Sequence, residues 1–386
     1  MRGRVIDHGL IIDNTKHLTV ANFSFFASNI EAAAGIESVI FDSLEFKFPS
    51  SSHRMLKSDT APKHTQITGN YISVVNCTFN GAEGPALQYN GKNSYIHNNE
   101  FSYSDWTGQC GECAAVMDKS TDGEFSQNTL WYNGNAHGLR YNGRNGVMKF
   151  NYAAGQCWGK IQNDGASMQI SPGAQNGVSL THNWVHDSPK KGLRFDGDGS
   201  RLPAVGIHGY QGFNVVWNIH GNKEMYPKGD NHTVESNLAY DDNDNTHCSL
   251  CVPTHHGDYE MNKHTVVINN AASRMEGGGG LIQNNYVGLD VKNHLEDPDV
   301  QDFRPIEGGA LTQGDIVMGP YQPGVGEGIY WIPGINKFLK LIYIIWYFSP
   351  LLFNFRKKNL QDLISNSKIQ SNHFSNQRCC HVSRWI

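Results

Sequence analysis

Short runs of alternating apolar and polar residues recur along residues 17–290 of this 386-residue chain. Residues 176–198 contain one complete unit. Val178 and Leu180 alternate with polar residues, Asn183 and two apolar residues follow, and a second alternating run occupies residues 192–196. Alternation with a period of two predicts short strands. The unit returns at intervals of roughly 20 to 35 residues, which is typical of a solenoid rather than of a compact sandwich.

An asparagine occupies the same place in nearly every unit, after the first strand and before two apolar residues. Asparagine tolerates left-handed backbone and hydrogen-bonds to neighbouring backbone groups, so stacked asparagines predict a ladder at a corner between parallel strands. A turn asparagine alone does not explain why the same strand precedes it nine times. The aligned column is Cys77, Asn99, Asn128, Asn151, Asn183, Asn218, Asn237, Asn270 and Asn285.

This pattern resembles the right-handed parallel β-helix of the pectate-lyase-like superfamily over about residues 17–333. Residues 302–334, which begin Asp-Phe-Arg-Pro and end in a Gly-rich stretch, are similar to the closing segment of secreted carbohydrate-active β-helix proteins. The resemblance implies an all-β, right-handed parallel β-helix over residues 1–334, located outside the cell and acting on a polysaccharide. No signal-peptide pattern opens the chain, so either the protein is cytosolic or its N-terminus is missing. We expect the second, because the repeat is already under way where the sequence begins.

Residues 335–386 differ sharply in composition from the repeats. They hold eight Lys/Arg and one acidic residue, whereas the rest of the chain holds 23 basic and 35 acidic residues. The apolar run 338–355 is interrupted by Lys340 and Pro350 and is short for a membrane span, which needs about 20 apolar residues. We predict a tail unrelated to the solenoid, with a membrane anchor as the alternative. The acidic body argues against nucleic acid as the main partner.

One column of long side chains is predicted on the outer face of the solenoid. If the apolar residue of each second strand points inward, the next residue points outward, about 4.8 Å from its neighbour in the next unit. Arginine binds carboxylate or sulfate in bidentate fashion, so this column fits an extended anionic polysaccharide. The alternative is that Arg140 and Arg194 form surface ion pairs with Asp118 and Asp196. The column is Gln88, Met117, Arg140, Gln169, Arg194 and, in the next unit, Lys228.

The densest polar cluster surrounds the end of that column. A polysaccharide lyase needs a group that neutralises the uronate carboxylate, a base for the C5 proton and an acid for the leaving oxygen. Lyases of the fold that this chain resembles often use Lys or Arg as base and calcium as the clamp. The resemblance therefore implies a base among Lys228, Lys191 and Arg194. The carboxylates in the cluster are Asp196, Asp198 and Asp230, and the histidines His208 and His232 are expected to contact substrate.

Two further groups of residues contain side chains of the types that bind metals. The oxygen ligands of residues 241–245, Asp241 and Asp242 among them, suit calcium, but a solvated loop explains the same run. Two CxxC pairs, Cys110/Cys113 and Cys248/Cys251, predict local disulfides, with a four-cysteine zinc site as the less favoured alternative.

The sequence thus predicts a lyase or a hydrolase acting on an acidic polysaccharide. A hydrolase would use a carboxylate pair, either Asp196 with Asp198 or Asp241 with Asp242. The remaining alternatives are a non-catalytic carbohydrate-binding or adhesion protein and a C5 epimerase, because a solenoid fold does not fix a function.

Overall fold

The computed structural model describes residues 8–50, 64–106, 114–134, 136–159, 164–197, 206–221, 223–241, 247–321 and 333–334. Over these residues the chain is a right-handed parallel β-helix, as the sequence predicts. The predicted tail 335–386, its apolar run 338–355 and the domain boundary before it lie outside the described residues. No helix in the described part is long and apolar enough to cross a membrane.

Each coil contributes one strand to each of three parallel sheets, which we name A, B and C in the order in which the chain passes through them. Sheet A consists of Leu10–Ile12, Ile30–Glu37, Thr65–Asn70, Leu87–Lys92, Ala114–Asp118, His137–Tyr141, Ala166–Ile170, Lys191–Phe195, Met225–Pro227, Leu250–Val252 and Met275–Gly277. Sheet B consists of Thr19–Ala21, Ile40–Asp42, Ser73–Val75, Tyr95–His97, Glu124–Ser126, Val147–Lys149, Ser179–Thr181, Tyr210–Gly212, Thr233–Glu235, Val266–Ile268 and Ile282–Gln283. Sheet C consists of Ser24–Phe26, Glu45–Lys47, Thr78–Asn80, Glu100–Ser102, Thr129–Trp131, Tyr152–Ala154, Trp184–His186, Val215–Trp217, Leu238–Tyr240, Ala271–Ala272 and Tyr286–Val287. The two apolar residues after the asparagine are therefore a strand of their own.

The corners of the coils are built from residues in the left-handed backbone conformation. At the corner between sheets B and C, for example, Asn98 has a φ of 56° and His182 a φ of 55°. Tyr71 and Tyr132 occupy the same conformation at the A–B and C–A corners, with φ of 56° and 49°. A residue with a side chain pays about 1–2 kcal/mol for this conformation, and asparagine pays less because its side chain bonds locally. The left-handed residue stands one position before the ladder asparagine, as His182 does before Asn183, so hydrogen bonds and not this conformation explain the repeated asparagines.

The predicted asparagine ladder runs along the B–C corner, with one correction. Each buried ladder asparagine accepts a backbone N–H bond from the previous coil, as from Asn151 N to Asn183 Oδ1 at 3.0 Å. The rung after Asn183 is Asn214, whose Oδ1 lies 3.0 Å from Asn183 N. The predicted Asn218 instead lies after the sheet C strand, where its side chain donates to Asp187. The prediction was wrong because asparagines stand on both sides of the strand Val215–Trp217, and only the preceding one faces the corner.

The interior is filled by stacked apolar side chains. Phe46, Phe79 and Phe101 lie in consecutive coils, with ring centroids 4.5 and 4.9 Å apart and nearly parallel planes. Such stacks remove large aromatic areas from water at about 25 cal/mol per Å². The repeat therefore provides one continuous core along the axis.

The segment after the last coil covers the outer face of sheet C. Phe303 packs against Trp184 with a centroid distance of 5.1 Å and against Trp217 at 4.9 Å. Trp184 Nε1 also donates to the Tyr321 hydroxyl at 3.0 Å. The outer face of sheet C is thus partly buried, and its burial accounts for the Asp-Phe-Arg-Pro stretch. The short elements of this segment are the 3₁₀ helices Val291–His294 and Pro298–Val300 and the strands Leu295–Asp297, Asp302–Pro305, Thr312–Gln313 and Ile316–Val317. A separate hairpin, His255–His256 with Tyr259–Glu260, lies in the connection between the sheet A strand Leu250–Val252 and the sheet B strand Val266–Ile268.

Asp118 lies inside the solenoid, which overturns its predicted surface pairing with Arg140. Its register neighbours in sheet A are Tyr89 and Tyr141, and both are buried core residues. Asp118 is 1% exposed, and its Oδ1 accepts a bond from Ser120 N at 2.8 Å. Burial raises the pKa of Asp118 to about 6 from its ordinary value of 3.8. The side chain points inward because it stands two residues after the inward-facing Val116.

We expect Asp118→Asn to stabilise the protein at neutral pH. The folded state binds the Asp118 proton more tightly than the unfolded state, so folding stability falls as pH rises from about 4 to about 6 and stays lowered above that. The shift corresponds to about 3 kcal/mol. Urea unfolding at pH 7 should show a gain of about 2–3 kcal/mol for the variant, shrinking toward zero near pH 4. If the free energies of unfolding of variant and wild type differ by the same amount at both pH values, burial does not raise the pKa of Asp118.

Candidate functional site

A row of side chains crosses the outer face of sheet A in strand register. The pairing Gln88, Met117, Arg140, Gln169 and Arg194 confirms the predicted column. The next position is Tyr226, not Lys228, because Met225 is the partner of Leu193 and Arg194 is therefore the partner of Tyr226. Lys228 lies one step beyond the strand Met225–Pro227. We call the positions from Arg140 to Tyr226 the sheet A row.

Arg194 lies between two carboxylates. Its guanidinium donates to Asp164 at 2.5 Å and to Asp196. Arg194 is 5% exposed, whereas the Asp164 side chain is more than half exposed. Although burial favours its protonated form, the neighbouring Arg194 charge lowers the pKa of Asp164 well below its ordinary value. The predicted ion pair with Asp196 is thus present, and a second carboxylate that the sequence did not predict completes it.

Two lysine amines lie on either side of this arginine. Lys191 Nζ lies 3.5 Å from Asp164, and Lys228 Nζ lies 3.5 Å from Asp196 and donates to Gly197 O at 3.2 Å. Burial, reinforced by the Arg194 charge, lowers the pKa of both amines. A lysine amine becomes a usable general base when its pKa falls toward the working pH.

Tyr226 brings a phenol to the same cluster. Lys228 Nζ lies 5.1 Å from the centre of the Tyr226 ring, and Lys223 Nζ lies at the same distance. Burial raises the pKa of Tyr226, so its hydroxyl keeps its proton and can act as an acid. The sequence contained a signal for this residue, because aligning Met225 with Leu193 puts Tyr226 in the row.

His137 and Gln169 form the buried floor of the site. Gln169 is 3% exposed and its Nε2 lies 3.5 Å from Asp196 Oδ2. Burial, with the Arg140 charge, lowers the pKa of His137 to about 3, so the ring is neutral. Its Nδ1 accepts a bond from Ala166 N at 3.2 Å, which places its proton on Nε2. His137 was not predicted, because nothing in its local sequence separates it from other strand-end residues.

The other predicted binding residues are scattered around this face. Arg140 is half-buried, and its Nε donates to Ser171 Oγ at 3.3 Å. Gln88 lies two coils from Arg140 along the column and accepts a bond from His64 at 2.9 Å. His208 is exposed at the A–B corner. His232 is 1% exposed, with Nδ1 accepting from Gly209 N and Nε2 donating to Lys228 O. These backbone bonds make His232 a structural residue that a substrate does not reach.

The predicted metal sites are only partly within the described chain. Asp230 lies at the A–B corner, where its Oδ1 accepts from Lys263 N, whereas Asp241 follows the sheet C strand Leu238–Tyr240. The two are thus at opposite ends of the coil, and no group of three or more His, Cys, Asp or Glu able to hold a metal occurs among the described residues. Asp198 and Asp242 lie outside them. The described carboxylates do not fit a calcium site, and calcium stays a prediction.

The cysteine prediction is confirmed for the second pair. Cys248 and Cys251 form a disulfide, and Cys251 follows Tyr226 in the register of sheet A. Their disulfide excludes these two cysteines from a zinc site. Cys110 and Cys113 lie outside the described residues.

Comparison with known proteins gives no match: no family model, no curated protein and no solved structure is significantly similar to the chain.

Proposed function

We propose that the protein is a polysaccharide lyase that cleaves a uronate-containing polymer by β-elimination on the outer face of sheet A. The observation that carries the proposal is the placement of two lysine amines with lowered pKa beside one arginine and one protonated phenol. These groups match the three needs of elimination, which are a cation for the carboxylate, a base and an acid.

Each group has a role in this proposal. Arg140, which is half-buried, binds the uronate carboxylate and lowers the cost of removing the neighbouring C5 proton. Arg194 stays paired with Asp164 and Asp196, and its charge helps to lower the pKa of Lys228. The neutral amine of Lys228 takes that proton, the electron pair forms the C4–C5 double bond, and the C4–O bond breaks. Tyr226 gives its phenolic proton to the leaving oxygen, and Lys228 afterwards returns a proton to the phenolate. Lys228 is chosen over Lys191 because it contacts the Tyr226 ring and is the more buried amine.

A hydrolase is the second candidate, and one observation favours it. Asp164 and Asp196 both bind the same guanidinium, so two carboxylates lie close together on this face. Glycoside hydrolysis uses such a pair, one as acid and one as base or nucleophile. However, the lowered pKa of Asp164 makes it a poor acid.

We further propose that the solenoid belongs to the pectate-lyase-like superfamily and that the protein is extracellular. The B–C ladder and the order of the three sheets support the first. The disulfide between Cys248 and Cys251 supports the second, because disulfides persist in oxidising compartments.

A panel of acidic polymers tests the proposed function. Alginate, pectate, chondroitin sulfate and sulfated algal polysaccharides are incubated with the protein, and unsaturated products are followed by ultraviolet absorbance together with reducing ends. We expect both signals to rise together on at least one uronate polymer. Reducing ends without absorbance would support the hydrolase, and binding with neither signal would support a non-catalytic carbohydrate-binding protein.

A further inference from the structure

Three aromatic side chains form an exposed surface at the C–A corner, and nothing in the proposed reaction uses them. Tyr103 is 48% exposed and Trp158 is 58% exposed. The rings of Tyr103 and Tyr132 are parallel within 6° at 6.1 Å, and Trp158 meets Tyr132 edge-on at 5.9 Å. We call Tyr103, Tyr132 and Trp158 the aromatic platform. Large exposed aromatic patches on a protein surface mark binding sites, because their burial is otherwise favourable.

Two of the platform residues have a left-handed backbone conformation. Tyr103 and Tyr132 have φ of 51° and 49°, a region that disfavours side chains and that Gly81 and Gly155 occupy in neighbouring coils. The Tyr132 ring lies flat on Gly155, where a Cβ would stand 2.6 Å from the ring. Trp131 supports Tyr132 from the side at 5.0 Å. Corner residues of most coils share this left-handed backbone, so it fixes the direction of the two tyrosine side chains and does not by itself mark a site.

The platform borders the coils that form the proposed active face. Cys157, the neighbour of Trp158, donates its thiol to Ala136 O at 2.9 Å, and Ala136 directly precedes His137 of the site floor. The platform therefore lies beside the face on which the polymer is proposed to bind. The platform residues carry no formal charge, so they contribute apolar contacts to a ligand, whereas Arg140 contributes ionic contacts. A pyranose ring presents a face of C–H groups, which suits the negative face of an aromatic ring.

We propose that the aromatic platform is a sugar-stacking subsite, which holds pyranose rings of the same acidic polysaccharide beyond the residue that is cleaved. The proposal rests on the proposed function for the identity of the polymer. Arg140 binds its carboxylates, and the platform binds the faces of its rings. The platform therefore strengthens binding of long chains and leaves the chemistry unchanged.

Affinity electrophoresis tests the platform without requiring turnover. Gels contain alginate, pectate or chondroitin sulfate, and Trp158→Ala and Tyr103→Asn are compared with wild type. Tyr71→Asn is the matched control, because Tyr71 is also an exposed tyrosine with left-handed backbone but lies at the A–B corner. Asparagine tolerates that conformation, so both tyrosine variants keep the corner intact. We expect the dissociation constant to rise about tenfold in each platform variant, equivalent to about 1.4 kcal/mol, and to be unchanged in the control.

Each outcome separates the platform from the reaction. Retardation that depends on Trp158 in a protein that cleaves nothing supports the platform and removes the proposed function. Cleavage with equal dissociation constants for wild type and Trp158→Ala overturns the platform and leaves the function. If no polymer retards the wild-type protein in the gel, the platform proposal is also overturned. Self-association in sedimentation that is lost in Trp158→Ala would show that a second copy of the chain, not a sugar, occupies the surface.

Discussion

Lys228→Ala is expected to lower kcat by about 10³-fold on the polymer that wild type cleaves, because it removes the proposed base. KM should change little, since Arg140 still binds the carboxylate. In wild type, kcat/KM should rise with pH through the lowered pKa of Lys228, because only the neutral amine accepts a proton. Initial rates of unsaturated-product formation between pH 6 and pH 10 measure both effects.

Two control variants accompany this experiment. Lys191→Ala removes the other amine beside Arg194, and we expect it to raise KM with kcat within about threefold. Lys263→Ala removes an exposed lysine whose partner is Glu260, and it should match wild type. A loss of kcat in Lys191→Ala with full turnover in Lys228→Ala would assign the base to Lys191.

Asn214→Ala is expected to lower the free energy of unfolding by about 3–5 kcal/mol. The Asn214 side chain donates to Leu180 O and to Asn237 Oδ1, and its Oδ1 accepts from both nitrogens of Asn183. All of these groups are buried, so truncation leaves several donors and acceptors without partners. Urea unfolding followed by circular dichroism gives the midpoint and the slope, and the slope shows whether the solenoid still unfolds as one unit.

Asn218→Gly is the comparison, because Asn218 is the asparagine on the other side of the same strand and lies outside the ladder. Asn218 has a left-handed φ of 54°, which glycine adopts without strain, so the cost should stay within about 1 kcal/mol. Equal destabilisation by the two substitutions would mean that the ladder does not pass through Asn214.

The repeat was predictable because each element of it recurs. Nine aligned units fix the alternation of the strands and the asparagine corner, so an error in one unit does not change the fold. The alignment of a single unit was less certain than the repeat as a whole. In the unit of Asn214 and Asn218 either asparagine satisfies the local pattern, and burial against Asn183 decides between them. The run around Tyr226 and Lys228 is similarly short, and the pairing of Met225 with Leu193 fixes which of the two continues the row after Arg194.

The site was less predictable than the fold because some of its residues, such as Asp164, come from connections of variable length. Asp164 is 30 residues before Arg194 and meets it only because the coils stack. His137 and Tyr226 carry no motif of their own. The basic column itself was visible from the sequence, since Arg140 and Arg194 occupy equivalent strand positions. What the sequence lacked was the register that joins these residues across coils.

Cleavage in water enriched in heavy oxygen tests the central claim most directly, namely that the sheet A face carries out β-elimination. The polymer that gives reducing ends in the panel is digested in this water, and the products are weighed by mass spectrometry. Elimination breaks the C4–O bond without adding water, so the new chain ends should be unsaturated and should carry no label at the moment of cleavage. Label incorporated into the products in proportion to the new ends would contradict the account and establish a hydrolase.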